Sequence, residues 1–486
     1  MKRTVAISQS SQAPTILWFR QDLRLADNPA LSAACDAGDI IPVYIIDDDN
    51  SGDWAMGGAS RWWLHHALDA LNRSLDGKLN IFRGDPLPIL SGLVEEFNAT
   101  RIVWNRCYEP WRIARDSKIK TALQALDLEV ESYNSALLWE PWQVVKKDGS
   151  PYKVFTPYYR RGCLSSASPR RPLEIPANIK SSPLSQQSLT LESLALLPSI
   201  PWDKQMRTIW EINENAAQER LDAFVMTELE GYRDGRNFPD KAHVSRLSAY
   251  LHFGQISPNT IWHRVSDAAP LINNEASIDT FLSELGWREF SHYLLYHFPQ
   301  LPTDNLQSRF DAFPWANDSD DHLKAWQQGC TGYPLVDAGM RELYSTGYMH
   351  NRVRMVVGSF LVKNLLIHWH RGEEWFWDCL VDADLAANSA SWQWIAGCGA
   401  DAAPFFRIFN PITQSEKFDK QGDYIRRYVP ELASMPAKYI HAPWLAPKDV
   451  LDDAGVVIGT HYPAPIVDIK ESRQRALDAF KFTKLE

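Results

Sequence analysis

The 486 residues predict two domains of different class: an α/β N-terminal domain built on a doubly wound parallel sheet, and an all-α C-terminal domain. Three observations predict this. Short β-rich runs alternate with helical stretches through the first third, a Ser-, Pro- and Leu-rich segment follows, and helical periodicity alone fills the remainder. The divisions fall at 14–140 for the α/β domain, 141–206 for an interdomain linker and 207–486 for the helical domain.

The strands are Thr15–Phe19, Ile40–Asp47, Leu79–Phe82, Arg101–Trp104 and Leu128–Tyr133. Between them Ser60–Leu75, Pro88–Phe97 and Ala114–Leu126 read as helices. Strands joined by helices of this length form βαβ units, and their parallel sheet is covered on both faces. Ligands of such sheets sit at the carboxyl ends of the strands. No GxGxxG follows the first strand, which argues against a dinucleotide held there in the usual Rossmann manner. Ser165–Trp202, with its SPRRP and LLPSIPW runs, reads as a linker draped over a surface. The helical domain then offers Ala216–Leu229, Ser245–Phe253, Ile278–His297, Asp320–Gln328, Val336–Ser345 and Asn351–Trp369, followed by a proline-rich tail after Leu432 that wraps the surface.

Composition sets further bounds. Apolar content of 45% with 23% charged residues is that of a folded globular chain. The longest apolar candidate, Met355–Leu366, is interrupted by Lys363, so no membrane span is expected, and Met1–Ala13 lacks the apolar core of a secretion signal. Cys35, Cys107, Cys163, Cys330, Cys379 and Cys398 include no CxxC pair, which predicts free thiols in a reducing cytoplasm and no metal site. A net charge of −10 argues against nucleic acid coating the whole surface but leaves room for a local basic groove. The 20 tryptophans fit either an aromatic-rich core or indoles that serve a flat ligand or carry electrons.

Several constellations crowd the helical domain. In FLSELGWREF, Glu284, Trp287 and Arg288 stand at i, i+3 and i+4, which puts a carboxylate, an indole and a guanidinium on one helical stripe. In MHNRVRM, Asn351 and Met355 share a face and Arg354 points elsewhere. VDADLAANS carries Asp382, Asp384 and Asn388, and WQWIAGCGADAAPFFRIFNP sets Trp392 and Trp394 two residues apart ahead of a Gly-Ala-rich loop. YRDGRNFP and VSRLS complete the set, the latter at a helix start. Taken singly, each has an ordinary reading as an ion pair, a cap, a turn or core; five in this order in one domain do not.

These motifs, together with ILWFRQDLRLADNPAL at Ile16–Leu31 and EKFDKQGDYIRRYVPEL at Glu416–Leu432, resemble the photolyase/cryptochrome flavoproteins, and within them the class I cyclobutane pyrimidine dimer photolyases of bacteria. The resemblance covers nearly the whole chain. It implies FAD folded in a U shape within the helical domain and light-driven splitting of cyclobutane pyrimidine dimers in DNA, with no nucleophile or metal. The cofactor would be held by Tyr232, the segment Val244, Ser245, Arg246, Leu247 and Ser248, then Phe281, Arg288, Arg354, Asp382, Ala383, Asp384 and Asn388. Hydroxyls and free N–H groups at a helix start suit a pyrophosphate, although Val244 stands where the family usually has Thr. Asn388 matches the residue facing flavin N5, where plant cryptochromes typically carry Asp.

By the same resemblance Trp392, Trp369 and Trp315 form an electron-transfer chain from flavin to surface. Trp287 and Trp394 clamp the flipped-out dimer, while Glu284, Asn351 and Met355 line its cavity. Extruding a lesion that already distorts the duplex costs only a few kcal/mol. Enzymes for the (6-4) lesion carry two histidines where this chain has Asn351 and Met355. Arg236, Arg352, Arg407 and Lys417 would meet phosphates at the cavity mouth. Glu109 matches the glutamate that holds the antenna 5,10-methenyltetrahydrofolate; 8-hydroxy-5-deazaflavin or no antenna are the alternatives. His350 and His368 read as structural. A monomer is expected. The rival reading is a blue-light photoreceptor that binds FAD and signals through a partner, and an FAD oxidoreductase acting on small molecules is a third.

Overall fold

The computed structural model describes residues 13–316, 319–402 and 406–483. Residues 1–12, all but the last of the stretch read as lacking the core of a secretion signal, and residues 403–405 of the segment after Trp394 lie outside these.

The α/β domain comprises β1 (Thr15–Phe19), α1 (Pro29–Ala37), β2 (Ile40–Ile46), α2 (Gly58–Ser74), β3 (Asn80–Arg83), α3 (Pro86–Phe97), β4 (Arg101–Asn105), α4 (Pro110–Gln124) and β5 (Glu129–Tyr133). The sheet is parallel throughout, in the order β3-β2-β1-β4-β5, with Thr15 registered on Ile40 and on Arg101. β1 and β2 are buried at every position, as strands covered on both faces must be. Helix starts follow local chemistry. The Asn28 side chain accepts from Leu31 N–H at 3.1 Å ahead of Pro29, and Asp85 caps α3 ahead of Pro86.

The helical domain comprises α5 (Met206–Ile209), α6 (Glu214–Ala223), α7 (Tyr232–Gly235), α8 (Ser248–His252), α9 (Pro258–Ala268), α10 (Glu275–His297), α11 (Asp320–Gln327), α12 (Pro334–Thr346), α13 (Asn351–Ser359), α14 (Trp369–Cys379), α15 (Leu385–Ala396), α16 (Pro411–Phe418), α17 (Asp423–Tyr428), α18 (Lys448–Ala454) and α19 (Ile469–Phe482). The parallel sheet with a helical second domain is the fold class expected from the sequence. No helix of the described residues is long and apolar enough to cross a membrane.

Three local expectations are corrected. The single helix expected over Asn351–Trp369 is two. α13 runs into a widened turn at Phe360–Asn364, Leu366 takes φ +56°, and His368 caps a new helix that starts at Trp369. Both sides of the break are core, so the apolar run is continuous across it. In Ser245–Phe253 only Ser248–His252 is helical, because Arg246 stands at φ +51°. The tail after Leu432 is not merely wrapped on the surface. Ala476 of α19 is fully buried, Asn364 donates to Ser472 Oγ at 2.9 Å, and Arg475 donates to the Asn364 carbonyl at 2.9 Å.

Charged groups stitch the two domains. The buried Glu289 carboxylate accepts from Leu138 and Trp139 N–H, and Glu214 accepts from Leu25 and Ala26 N–H at 2.8 Å each. Arg24, 2% exposed, donates to the carbonyls of Gly254, Asp27 and Ser135. Gly254 stands at φ +69° with the Gln21 carbonyl where a side chain would begin, so only glycine allows this approach.

Candidate flavin and lesion site

Asp384 anchors the centre of the helical domain. It caps α15 by accepting from Ala387 N–H at 2.8 Å, while its other oxygen lies 3.4 Å from His292 Nε2 and 3.7 Å from His252 Nδ1. Burial alone would raise the carboxyl, but His292 and His252 outweigh it and hold Asp384 well below the usual carboxylate range. Beside it, Asp382 accepts two hydrogen bonds from Arg354, at 2.9 and 3.1 Å, and one from Ser248 Oγ at 2.6 Å. Arg354 is thereby directed to Asp382 by this ion pair and not by helix geometry, since Asn351, Arg354 and Met355 stand at i, i+3 and i+4.

One turn into α15, Asn388 donates its amide to the Glu373 carbonyl at 3.1 Å. Among the described residues the Glu373 carboxyl has Ser389 Oγ alone as a side-chain partner, and burial pushes it up to about 8. Asn388 therefore has its orientation fixed beside a carboxyl that stays protonated at neutral pH.

The segment ahead of α8 has the character of an anion cradle. Arg246 is left-handed and Leu247 right-handed, a pairing that turns successive N–H groups to one side. Tyr232 and Phe281, expected at the same cofactor site, pack edge to face at 5.2 Å. Arg246 has no ion pair among the described residues. Free N–H groups, an unpaired guanidinium, a paired Asp382 and a fixed amide at Asn388 fit a folded flavin dinucleotide. Arg288 is committed in part to the domain seam, where it donates to the Ala136 carbonyl at 2.7 Å.

The expected electron path is laid out by α14 and α15. Trp392 is 3% exposed, and its ring fills the space where a Cβ on Gly372 would stand, 2.2 Å from that point. Trp369 lies one turn before Gly372 on the same helix, fully buried, its indole donating to Asn305 Oδ1 at 3.0 Å. His368 stacks on Trp369 at 5.6 Å and lies 4.9 Å from the half-buried Trp315, tilted 60° to it. Burial and His370 push the His368 imidazole down to about 4, so it is neutral between the two indoles.

The residues expected to line a lesion cavity stand on three helices, α10, α13 and α15. Glu284 pairs with Arg236, whose guanidinium lies over Tyr232 at 5.3 Å. Trp287 stacks on Phe155 at 3.8 Å and 10°, and Phe155 stacks in turn on Tyr159. Trp394 donates to the Asp401 carbonyl at 3.1 Å, and the Asp401 carboxylate accepts from Phe155 N–H at 3.3 Å. The two indoles are thereby joined through Phe155 and Asp401, neither of which was expected from the sequence. Gly286 lets α10 approach Tyr159, whose ring lies 2.6 Å from where a Cβ would sit. Asn351 is exposed at the first position of α13, and Met355 is half-buried one turn later.

Arg352, expected at the cavity mouth, lies over Phe418 at 4.4 Å and donates to Asn237 Oδ1. Burial and the nearby Arg236 and Arg407 charges lower its pKa, which places three guanidiniums within one field. This is the local basic patch that a net-acidic chain allows. Arg407 and Lys417 lie against Phe409 and Phe418.

In the α/β domain, the crevice beyond β1 and β4 is filled by Arg20, which pairs with Asp116, donates to the Asn105 carbonyl and lies over Trp18 at 4.8 Å. A cavity of about 60 Å³ remains beside it, walled by Trp18, Trp54, Trp111, Trp377 and Glu109. Glu109 Oε2 is buried there without a hydrogen-bond partner among the described residues.

Comparison with known proteins identifies the family that the chain is similar to. Residues 15–177 match the family described as DNA photolyase, and residues 281–482 match the FAD binding domain of DNA photolyase. The chain is 48% identical over 477 residues to a deoxyribodipyrimidine photo-lyase of Agrobacterium fabrum, covering 97% of this chain and 98% of that one. It is 39% identical to cryptochrome-1 of Arabidopsis thaliana, over 96% of this chain and 70% of the relative. A bacterial class III photolyase from Agrobacterium tumefaciens superposes with a TM-score of 0.95 at 47% identity, over 99% of this chain and 100% of that structure. The class I expectation finds no support in that relative.

Proposed function

The chain belongs to the photolyase/cryptochrome family, and from that premise we propose that it repairs DNA in the light, splitting cyclobutane pyrimidine dimers as a deoxyribodipyrimidine photo-lyase with FAD as its cofactor. When bound and reduced, FAD supplies on excitation the electron that opens the cyclobutane ring and to which that electron returns.

The observation that carries this reading is the indole pair Trp287 and Trp394, linked through Phe155 and Asp401, together with the guanidiniums of Arg236, Arg352 and Arg407 in one field. An aromatic-walled hole of this kind takes a base out of the stack, and the arginines hold the backbone phosphates beside it. Glu284, held by Arg236, is the acceptor for a base-edge N–H. Asn351 and Met355 line the hole and make a (6-4) lesion a poor fit. Ser245, Arg246, Ser248, Arg354, Asp382, Asp384 and Asn388 hold the cofactor. Trp392, Trp369 and Trp315 return it to the reduced state.

The remaining assignments belong to the same proposal. The α/β domain at 14–140 carries the antenna, 141–206 is the linker, and 207–486 is catalytic. The antenna is a folate accepted by Glu109, whose unpartnered Oε2 suits a pterin N–H; a deazaflavin is the alternative. The protein is monomeric and cytoplasmic, in keeping with six free cysteines. A photoreceptor role, the competing reading, does not require the intact indole pair.

Dark binding of FAD-loaded protein to a dimer-containing oligonucleotide tests the pocket. Trp287→Ala is expected to weaken it by 1–3 kcal/mol, about the worth of one base–aromatic stack, while binding to undamaged duplex stays unchanged. Equal loss on both DNAs would remove Trp287 from lesion recognition.

A further inference from the structure

We propose that the imidazole of His368 couples Trp369 to Trp315, so that the electron passing between these two indoles travels through it. This rests on the electron-chain reading above and adds to it a residue that the sequence marks only as structural.

The backbone puts His368 there by a local departure from the helix. α13 ends in the widened turn at Phe360–Asn364, and Leu366 stands at φ +56°, a region that non-glycine residues seldom occupy. The Leu366 carbonyl accepts from Ala316 N–H at 2.8 Å, which draws the segment carrying Trp315 alongside the break. In a continuous helix that carbonyl would be spent on the helix's own ladder. Two residues on, His368 caps α14, its Nδ1 accepting from His370 N–H at 3.2 Å.

The rings then line up. His368 stacks on Trp369 with centroids 5.6 Å apart and 27° between planes, and lies 4.9 Å from Trp315 at 60°. Both separations are those of packed aromatic pairs. Trp369 is itself pinned, its indole donating to Asn305 Oδ1 at 3.0 Å. His370 lies 3.8 Å from Trp369, and Phe313 lies 4.5 Å from Trp315 but leads on to Phe310 and Phe406. Among the described residues His368 is the one ring in contact with both indoles.

Electronic coupling falls off faster across a gap than through bonded or packed atoms. His368 supplies both kinds of path: one peptide bond joins it to Trp369, and its ring packs against Trp315. Burial and His370 keep the imidazole neutral down to about 4, so no cation between the indoles opposes a positive charge arriving at Trp315. Trp315 gives up one electron, and Trp369, having passed one inward to Trp392, takes it up. His368 ends as it began, neither oxidised nor reduced. The charge left on the half-buried Trp315 is relieved when its indole N–H proton passes to water. A small thiol in solution returns the electron and the proton, and ends as a disulfide.

Ring and cap can be separated. His368→Asn keeps a side-chain oxygen for the α14 cap and removes the ring, whereas His368→Phe keeps a ring and removes the cap. FAD-loaded, oxidised protein is given a blue flash, and the visible absorption of the tryptophan radical is followed. Trp315→Phe serves as the reference for a chain that ends at Trp369, and thermal unfolding of each variant is recorded beside it. Long-lived radical is expected in wild type and in His368→Phe, with loss to the Trp315→Phe level in His368→Asn. Thermal stability should run the other way, with His368→Phe the less stable of the two. Wild-type radical yield in His368→Asn, or loss of the radical in His368→Phe, would overturn the proposal. His368→Ser, a smaller capping residue, replaces His368→Asn if that variant does not fold. Wild type that binds FAD yet gives no long-lived tryptophan radical would instead fail the electron-chain reading itself.

Discussion

Glu373 is the clearest case of a residue whose role appears only in the folded chain. Its carbonyl orients Asn388 and its carboxyl, satisfied by one serine, is held protonated up to about pH 8 against an ordinary value of 4.5. The native state thus keeps a proton that the unfolded chain releases above 4.5, so this group costs stability as pH rises from about 4.5 to about 8. Glu373→Gln is expected to remove that dependence. Wild type and variant should have similar melting temperatures at low pH and diverge by a few kcal/mol in favour of the variant near pH 8; parallel curves would contradict the assignment. Trp392→Phe belongs to the same scale. Phenylalanine fills the space against Gly372 but resists oxidation, so photoreduction of the oxidised flavin should stop while repair by protein already reduced continues. Unchanged bleaching of the flavin's visible absorption would remove Trp392 from the chain.

At the scale of elements, the pieces that place the site are set by a few close approaches. α14 lies against α15 because Gly372 has no side chain where the Trp392 ring passes. Gly372→Ala should cost about 1–3 kcal/mol through overpacking and slow flavin photoreduction by shifting Trp392, with dark DNA binding spared; equal stability and equal rate would contradict the packing. Much at this scale was legible in the sequence. The five strands, the stripe of Glu284, Trp287 and Arg288 on α10, and Asn351 with Met355 on α13 follow from periodicity. The break at Leu366 was not legible, because apolar residues are demanded on both sides of it. α19 was hidden by the prolines that precede it. Phe155 and Asp401, 246 residues apart, meet only through folding, and neither stands in a motif.

For the whole molecule, the domains are joined by buried charge rather than by an apolar seam alone. Arg24 satisfies the Gly254 carbonyl across that seam and the Asp27 and Ser135 carbonyls on its own side of it. Arg24→Ala leaves them unpaired and is expected to cost at least about 3 kcal/mol, with thermal unfolding splitting into two transitions as the domains uncouple. A single transition at the wild-type temperature would contradict this. At this scale the class of each domain was legible in the alternation of strand and helix. The docking was not, since Glu289 and Glu214 read in sequence as surface carboxylates, yet they spend their oxygens on backbone N–H groups of the other domain.

The central claim is that an excitable flavin sits beside an indole-walled hole that takes a pyrimidine dimer. Blue-light illumination of reduced, FAD-loaded protein with an oligonucleotide carrying one thymine dimer tests it, with a dark sample and a (6-4) oligonucleotide in parallel. The account predicts that the dimer reverts to two thymines in the light only, and that the (6-4) lesion persists. A thymine dimer that survives illumination while FAD remains bound and reduced would contradict it.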